Sequence, residues 1–189
     1  MSKNIELNSK VNFILKGLNS IQIGIYMLLF AYLIQGLLNG FMSDSSFLAM
    51  MSIQIIEVQI VFLAFLFILF SYLALFFSSR RTSRKNKTQF WNAPTKATFW
   101  VTFFLTIITI ALLFFLNKQG LFLELTSVFL LLYGIYILLF NFRKKKQIQL
   151  LGAICLVLSI VTLIIPSYWY NSLLILGIGH VVYGLMVKE

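Results

Sequence analysis

Long apolar runs alternate with short polar segments, most of them basic, along the whole of this chain. A helix needs about 20 apolar residues to cross a bilayer, and six runs meet or approach that length: roughly 21–41, 53–78, 98–117, 121–141, 148–165 and 171–187. The first four are generous; the last two are short and suit little tilt or a thin bilayer. Residues 1–20 differ. Leu7, Val11, Ile14, Leu15 and Leu18 fall on one helical face, with Lys10, Asn12 and Lys16 away from it, which predicts an amphipathic helix on the membrane surface or a flexible polar tail. The opening MSKNIELNSKVNFILKG is too polar for the apolar region of a cleavable signal, so the first span is expected to stay as an anchor. The pattern predicts an all-α, polytopic membrane protein: a single six-helix transmembrane domain over 21–187, with a basic cytoplasmic loop at 79–97.

Composition names lipid as the solvent. Only 11% of the 189 residues are charged and 60% are hydrophobic, against about 25% charged in a soluble domain. So few charges could not cover a water-exposed surface. A net charge of +10 would suggest nucleic acid in a soluble protein. Here the cations fall between apolar runs, as in cytoplasmic loops, and no nucleic acid is expected. Lys3, Lys10 and Lys16 precede span one. Arg80, Arg81, Arg84, Lys85, Lys87 and Lys96 lie between spans two and three, Arg143, Lys144, Lys145 and Lys146 join spans four and five, and Lys188 follows span six. That places 14 of the 15 basic residues on one side, with only Lys118 on the other. The positive-inside rule then puts both termini and both basic loops in the cytoplasm of an inner membrane, which closes only for an even number of spans. Trp91 and Trp100 beside the inner loop, and Tyr168, Trp169 and Tyr170 after Pro166, mark the two interfaces. Cys155, the only cysteine, sits among Ala153, Ile154, Leu156 and Val157 and reads as small apolar filler.

Spans three and four overlay spans five and six without a gap at a shift of 50 residues. Tyr133-Gly134 then falls on Tyr183-Gly184, and the turn at Asn117 to Gly120 on Ser167 to Tyr170. In spans one and two the best match is SYLALFFSSRR (71–81) on GIYILLFNFRK (134–144). The reading is three helical hairpins, each going out and back. The stretch LLGAICLVLSIVTLIIPSYWYNSLLILGIGHVVYGLM resembles one hairpin unit of the HdeD-like small bacterial membrane proteins. Such units carry a glycine early in the first helix, a proline at the turn and two glycines in the second helix. Gly152, Pro166, Gly177 and Gly184 sit at those places; in the preceding hairpin Thr102, Leu116 and Ser127 replace the first three and Gly134 remains. The resemblance, best over 148–187, implies six inner-membrane helices as three hairpins and a link to acid-stress resistance, with no catalytic residues to carry over.

An ionisable group at the centre of a membrane helix costs about 2.5–3.5 kcal/mol on insertion scales, so each one needs an account. His180, the only histidine, lies about 13 Å below the outer turn at the rise of an α-helix. Gly177, Tyr183 and Gly184 share its face, which points it into the bundle. It is either a neutral imidazole bonded to a neighbouring helix or a group that senses or passes protons. Glu57, near the outer end of span two, reaches water or heads a stripe with Ala64 and Ser71. Glu124, below the third outer turn, is placed to pair with Lys118. Gln35 lies at similar depth beside Gly36 and Gly40, whose GxxxG spacing reads as helix packing. Together Gln35, Glu57 and Glu124 are expected to line an outward-facing polar vestibule with His180 as its floor.

No phosphate-binding glycine loop, HExxH, serine nucleophile elbow or repeated histidine ligands occurs, so no enzyme, cofactor or metal site is expected. Arg80, Arg81, Arg84, Lys85, Lys87, Arg143, Lys144, Lys145 and Lys146 form a basic membrane-surface set facing the anionic inner leaflet, each contributing about 1 kcal/mol of attraction. The leading functional reading is a non-enzymatic small integral membrane protein of stress, including acid, resistance, acting as a homo-oligomer or by altering membrane or proton permeability. The alternatives are a channel or transporter-like effector passing an ion or small solute, and a membrane-anchored interaction partner using the loop at 79–97 in a stress or defence operon.

Overall fold

The structure, a computed structural model, describes Leu15 and residues 17–43, 47–85, 89–141 and 146–187. Among these the regular elements are all helical, and six helices are long and apolar enough to cross a membrane. They are α1 (Leu18–Met42), α2 (Ile53–Lys85), α3 (Ala93–Lys118), α4 (Leu125–Asn141), α5 (Lys146–Ile164) and α6 (Trp169–Met186). Single 3₁₀ turns at Phe47–Met50, Phe122–Glu124 and Pro166–Tyr168 make the connections at one end. The expected amphipathic segment lies outside the described residues except for Leu15, which packs against the core.

The local chemistry of the ends is readable. Asn92 caps α3 by accepting the Thr95 N–H at 2.9 Å, and Pro94 occupies the first turn, where its missing N–H leaves no bond unmade. Gly120 ends the same helix at φ 78, a left-handed conformation that glycine adopts without strain. Pro166 stops α5, as its place after a long apolar run requires. One expectation needs correction. The basic stretch 79–85 is not loop but the last two turns of α2, and α3 begins at Ala93 rather than near 98. Ser79 to Lys85 contains no glycine or proline, arginine and lysine are good helix formers, and cations in a final turn oppose the macrodipole.

Consecutive helices run antiparallel, so the start of α1, the α2–α3 and α4–α5 connections and the end of α6 gather at one end of the bundle. The core is contributed by α1, α4, α5 and α6, around Met27, Leu130, Ile137, Leu151, Cys155 and Leu176. The closest helix pairs are α1 with α6 and α4 with α5; the pairs α3/α4 and α5/α6, adjacent in sequence, touch more lightly. Small residues decide this. A Cβ on Gly184 would lie 2.7 Å from the Gly17 carbonyl oxygen and 2.9 Å from the Ile21 nitrogen, and one on Gly24 would lie 2.6 Å from the Gly177 carbonyl oxygen. On the other pair a Cβ on Gly134 would meet Cys155 Cβ at 3.0 Å and the Gly152 carbonyl at 3.1 Å.

The two crossings are copies of one design. Gly134 and Ser127 of α4 meet α5 at Gly152–Cys155 and Ser159; Gly184 and Gly177, 50 residues on, meet α1 at Gly17–Ile21 and Gly24. In the first copy Ser127 Oγ donates to the Ser159 carbonyl at 2.7 Å, and Ser159 Oγ donates back to the Ser127 carbonyl at 2.9 Å. In the second, two glycines bring the backbones together directly. α2 meets α3 through Tyr72 on Phe99 and the connection before α3 through Phe76 on Phe90, and both helices present most of their apolar surface outward. Gly36, expected to pack with Gly40, faces open space; only Gly40 meets a neighbour, Leu48.

These contacts separate two glycine variants. Gly184→Ala forces backbone apart and is expected to destabilise the folded chain in detergent by about 1–3 kcal/mol, the range for overpacking. Gly36→Ala should change stability by no more than about 0.5 kcal/mol. Equal effects of the two in a denaturant titration would refute the close α1/α6 crossing.

Candidate functional site

The interior of α6 carries a histidine, His180, and it is completely buried. Helical spacing places it on the face that carries Gly177 and Gly184, and those glycines let α1 come close enough to be reached. Ser20 of α1 donates its hydroxyl to the His180 carbonyl at 2.9 Å, and the same Oγ lies 3.2 Å from Nδ1. A serine has one hydroxyl proton. With it committed to the carbonyl, the neutral ring donates Nδ1–H to Ser20 Oγ and keeps Nε2 as acceptor. On that side the Tyr133 hydroxyl of α4 stands 2.8 Å away and donates to Nε2. One imidazole thus ties α1, α4 and α6 together, with both nitrogens engaged. Tyr133 is clasped in turn between Phe129, stacked at 5.8 Å, and Tyr136 at 6.5 Å.

A second polar row continues from Tyr136 toward α2. Thr98, Thr102, Thr106 and Thr109 recur at helical spacing along α3, and each donates its hydroxyl to the carbonyl four residues earlier. Their oxygens remain acceptors. Tyr136 of α4 donates to Thr102 Oγ at 2.9 Å and Tyr72 of α2 to Thr106 Oγ at 2.7 Å. Buried hydroxyls therefore link α2, α3 and α4 in the same way that His180 links α4, α6 and α1.

The structure does not bring the four expected vestibule residues together. Ser20, which touches His180, precedes Gln35 on α1 by fifteen residues, about 22 Å of helix at about 1.5 Å per residue. Gln35 instead donates to Asn39 Oδ1 at 3.0 Å on an exposed face. Glu57, in the first turns of α2, and Glu124, before α4, lie half-buried toward the same end as Gln35. Among the described residues no hydrogen bond joins any of the three to His180. Nor does Lys118 pair with Glu124: its ammonium lies over the Phe114 ring, 4.9 Å from the centroid, where the cation meets the negative face of the ring. Of the basic set, Arg80, Arg81, Arg84 and Lys85 close α2 and Lys146 opens α5; Lys87, Arg143, Lys144 and Lys145 lie outside the described residues. Cys155 is buried and unbonded to another cysteine.

Sequence reasoning overlooked Ser20, Tyr133, Tyr136, Thr102, Thr106 and Tyr72 as partners. The threonine stripe at spacings of three and four was a visible signal. Ser20 was not, because it stands in the segment read as a surface tail. Among the described residues no three His, Cys, Asp or Glu side chains come together as a metal site would require. Chemically, a neutral histidine with both nitrogens bonded inside the bundle can hold helices in register; to bind or exchange a proton it would first have to release Ser20 or Tyr133. Compared with family models, with curated proteins and with solved structures, the chain matches none.

Two substitutions probe these links. Tyr133→Phe removes the donor to His180 and is expected to lower stability by roughly 0.6–1.7 kcal/mol, the span measured for hydrogen bonds between membrane helices. A double-mutant cycle of Tyr136→Phe with Thr102→Val should show coupling of similar size; additive effects would mean that the two hydroxyls do not interact.

Proposed function

We propose that this chain is a non-enzymatic, multi-pass protein of a bacterial inner membrane. Its six spans form three hairpins, both termini and the basic end face the cytoplasm, and it serves stress resistance as an assembled membrane component. The single observation that supports a non-catalytic role is the engagement of both His180 nitrogens by Ser20 and Tyr133. A general base or metal ligand needs a nitrogen free for its substrate, and here the imidazole works as a joint among three helices. The gathering of the described basic residues Arg80 to Lys85, Lys96 and Lys146 at one end of the bundle supports the orientation by the positive-inside rule. The acid-stress assignment rests on the resemblance of 148–187 to the HdeD-like hairpin.

One observation favours the second reading, a small conductor of ions or solutes. The hydroxyl row through Tyr72, Thr106, Thr102 and Tyr136 is followed by Tyr133, His180 and Ser20, across five helices. Such a row would line a path if the helices parted.

The two readings separate in one pair of measurements. Cells lacking the chain are expected to survive acid challenge less well than complemented cells, while proteoliposomes holding the purified protein stay as tight to protons and monovalent ions as protein-free vesicles. A current above the lipid background would replace the first reading with the second, and unchanged acid survival would remove the stress assignment.

A further inference from the structure

The end of α2 combines exposed cations and exposed apolar side chains on one face. Its 33 residues make a helix of about 50 Å, well beyond the about 30 Å of hydrocarbon. The last turns therefore stand at headgroup level. Arg80 and Arg81 stand three and four residues after Phe77, and Arg84 four and three after them; the four share one helical face and line an open cleft of about 290 Å³. Below them on that face Leu73 and Phe70 are exposed, so an apolar track leads up to three guanidinium groups. Trp91 and Trp100, both exposed at the start of α3, mark the level of the membrane–water interface.

The charge is uncompensated along both helices. No acidic residue occurs between Glu57 and Glu124. Glu57 lies 23 residues before Arg80, about 35 Å away along α2, and Glu124 follows the far end of α3. The C-terminal dipole of α2 opposes an anion with about half a charge, against three full positive charges. Guanidinium forks match phosphate oxygens in pairs, a geometry that an ammonium lacks.

We propose that this face of α2 binds an anionic glycerophospholipid, with its phosphate held by Arg80, Arg81 and Arg84 and an acyl chain laid along Phe77, Leu73 and Phe70. A lipid fits better than a free phosphate because the apolar track continues directly from the guanidinium groups. It fits better than an acidic protein or RNA because the track starts at the level of the tryptophans, which flank the Phe99 ring where it meets Tyr72, and runs on past Leu73 to Phe70 toward the hydrocarbon. The site does not depend on which side of the membrane this end faces, so its test is independent of the topology and the stress role proposed above.

The experiment uses the full chain in non-ionic detergent, titrated with dibrominated phosphatidylglycerol or dibrominated phosphatidylcholine. Tryptophan quenching and native mass spectrometry report bound lipid. The wild-type chain is expected to prefer phosphatidylglycerol. R80Q/R81Q/R84Q should lose about tenfold or more in apparent affinity, beyond the general attraction that any three surface cations supply. R143Q/K144Q/K145Q, which removes the same charge elsewhere, should keep the preference. R80K/R81K/R84K, which preserves charge and helix propensity, should bind several-fold more weakly than wild type, because it lacks the fork. This last variant carries the test if the glutamine triple fails to fold. Equal losses in the two charge-removing triples, full binding by the lysine triple, or equal affinity for phosphatidylcholine would overturn the site. Effective competition by glycerophosphoglycerol, the headgroup without chains, would reassign it to a free phosphate ester.

Discussion

Water is absent from the hydrocarbon layer, so a polar atom inside this bundle must be completed by the protein itself. That constraint explains the arrangement around His180. An imidazole has two nitrogens on opposite sides of a ring, and completing both takes partners from two directions. Ser20 comes from α1 and Tyr133 from α4, so the requirement of one side chain fixes three helices relative to one another. The threonines of α3 meet the same constraint by another route. Each gives its proton to its own helix and keeps only an acceptor, which makes α3 a row of sockets for tyrosines on α2 and α4.

The repeat gains its meaning from packing. Laid out in sequence, it is a series of hairpins. In space the closest pairs are α4 with α5 and α6 with α1, so the repeated contact joins helices that the expected hairpins would separate, and the last helix packs on the first. The serine pair at 127 and 159 and the glycine pair at 177 and 24 fill the same slot. One uses two reciprocal hydrogen bonds, the other close backbone approach. The α2/α3 pair contains no glycine and meets through rings, with Tyr72 edge-on to Phe99. That is why these two helices remain at the periphery.

Six apolar runs were legible because membrane thickness imposes a length that no soluble pattern imitates, and the spans fall within a few residues of their expected positions. Boundaries failed where polarity was mistaken for loop. Residues 79–85 are polar yet helical, since arginine and lysine sustain a helix once it has left the lipid. That His180 faces inward followed from Gly177 and Gly184. Its partners did not follow, because periodicity reports which face a residue occupies and not which helix lies opposite. Gln35, Glu57 and Glu124 looked like companions through shared depth and small residues on their faces, and neither settles rotation about the bundle.

The bonds between Ser20 and His180 span 160 residues of chain. At ribosomal rates of about 5–20 residues per second, roughly 8–30 s separate the synthesis of the two ends of that contact. Through this interval α1 is without α6, whose Gly177 backbone meets it at Gly24. The α1/α6 contact is therefore the last of the helix pairs to form. A nascent chain stalled just before α6 would hold every helix but one and still lack the join between its beginning and its end.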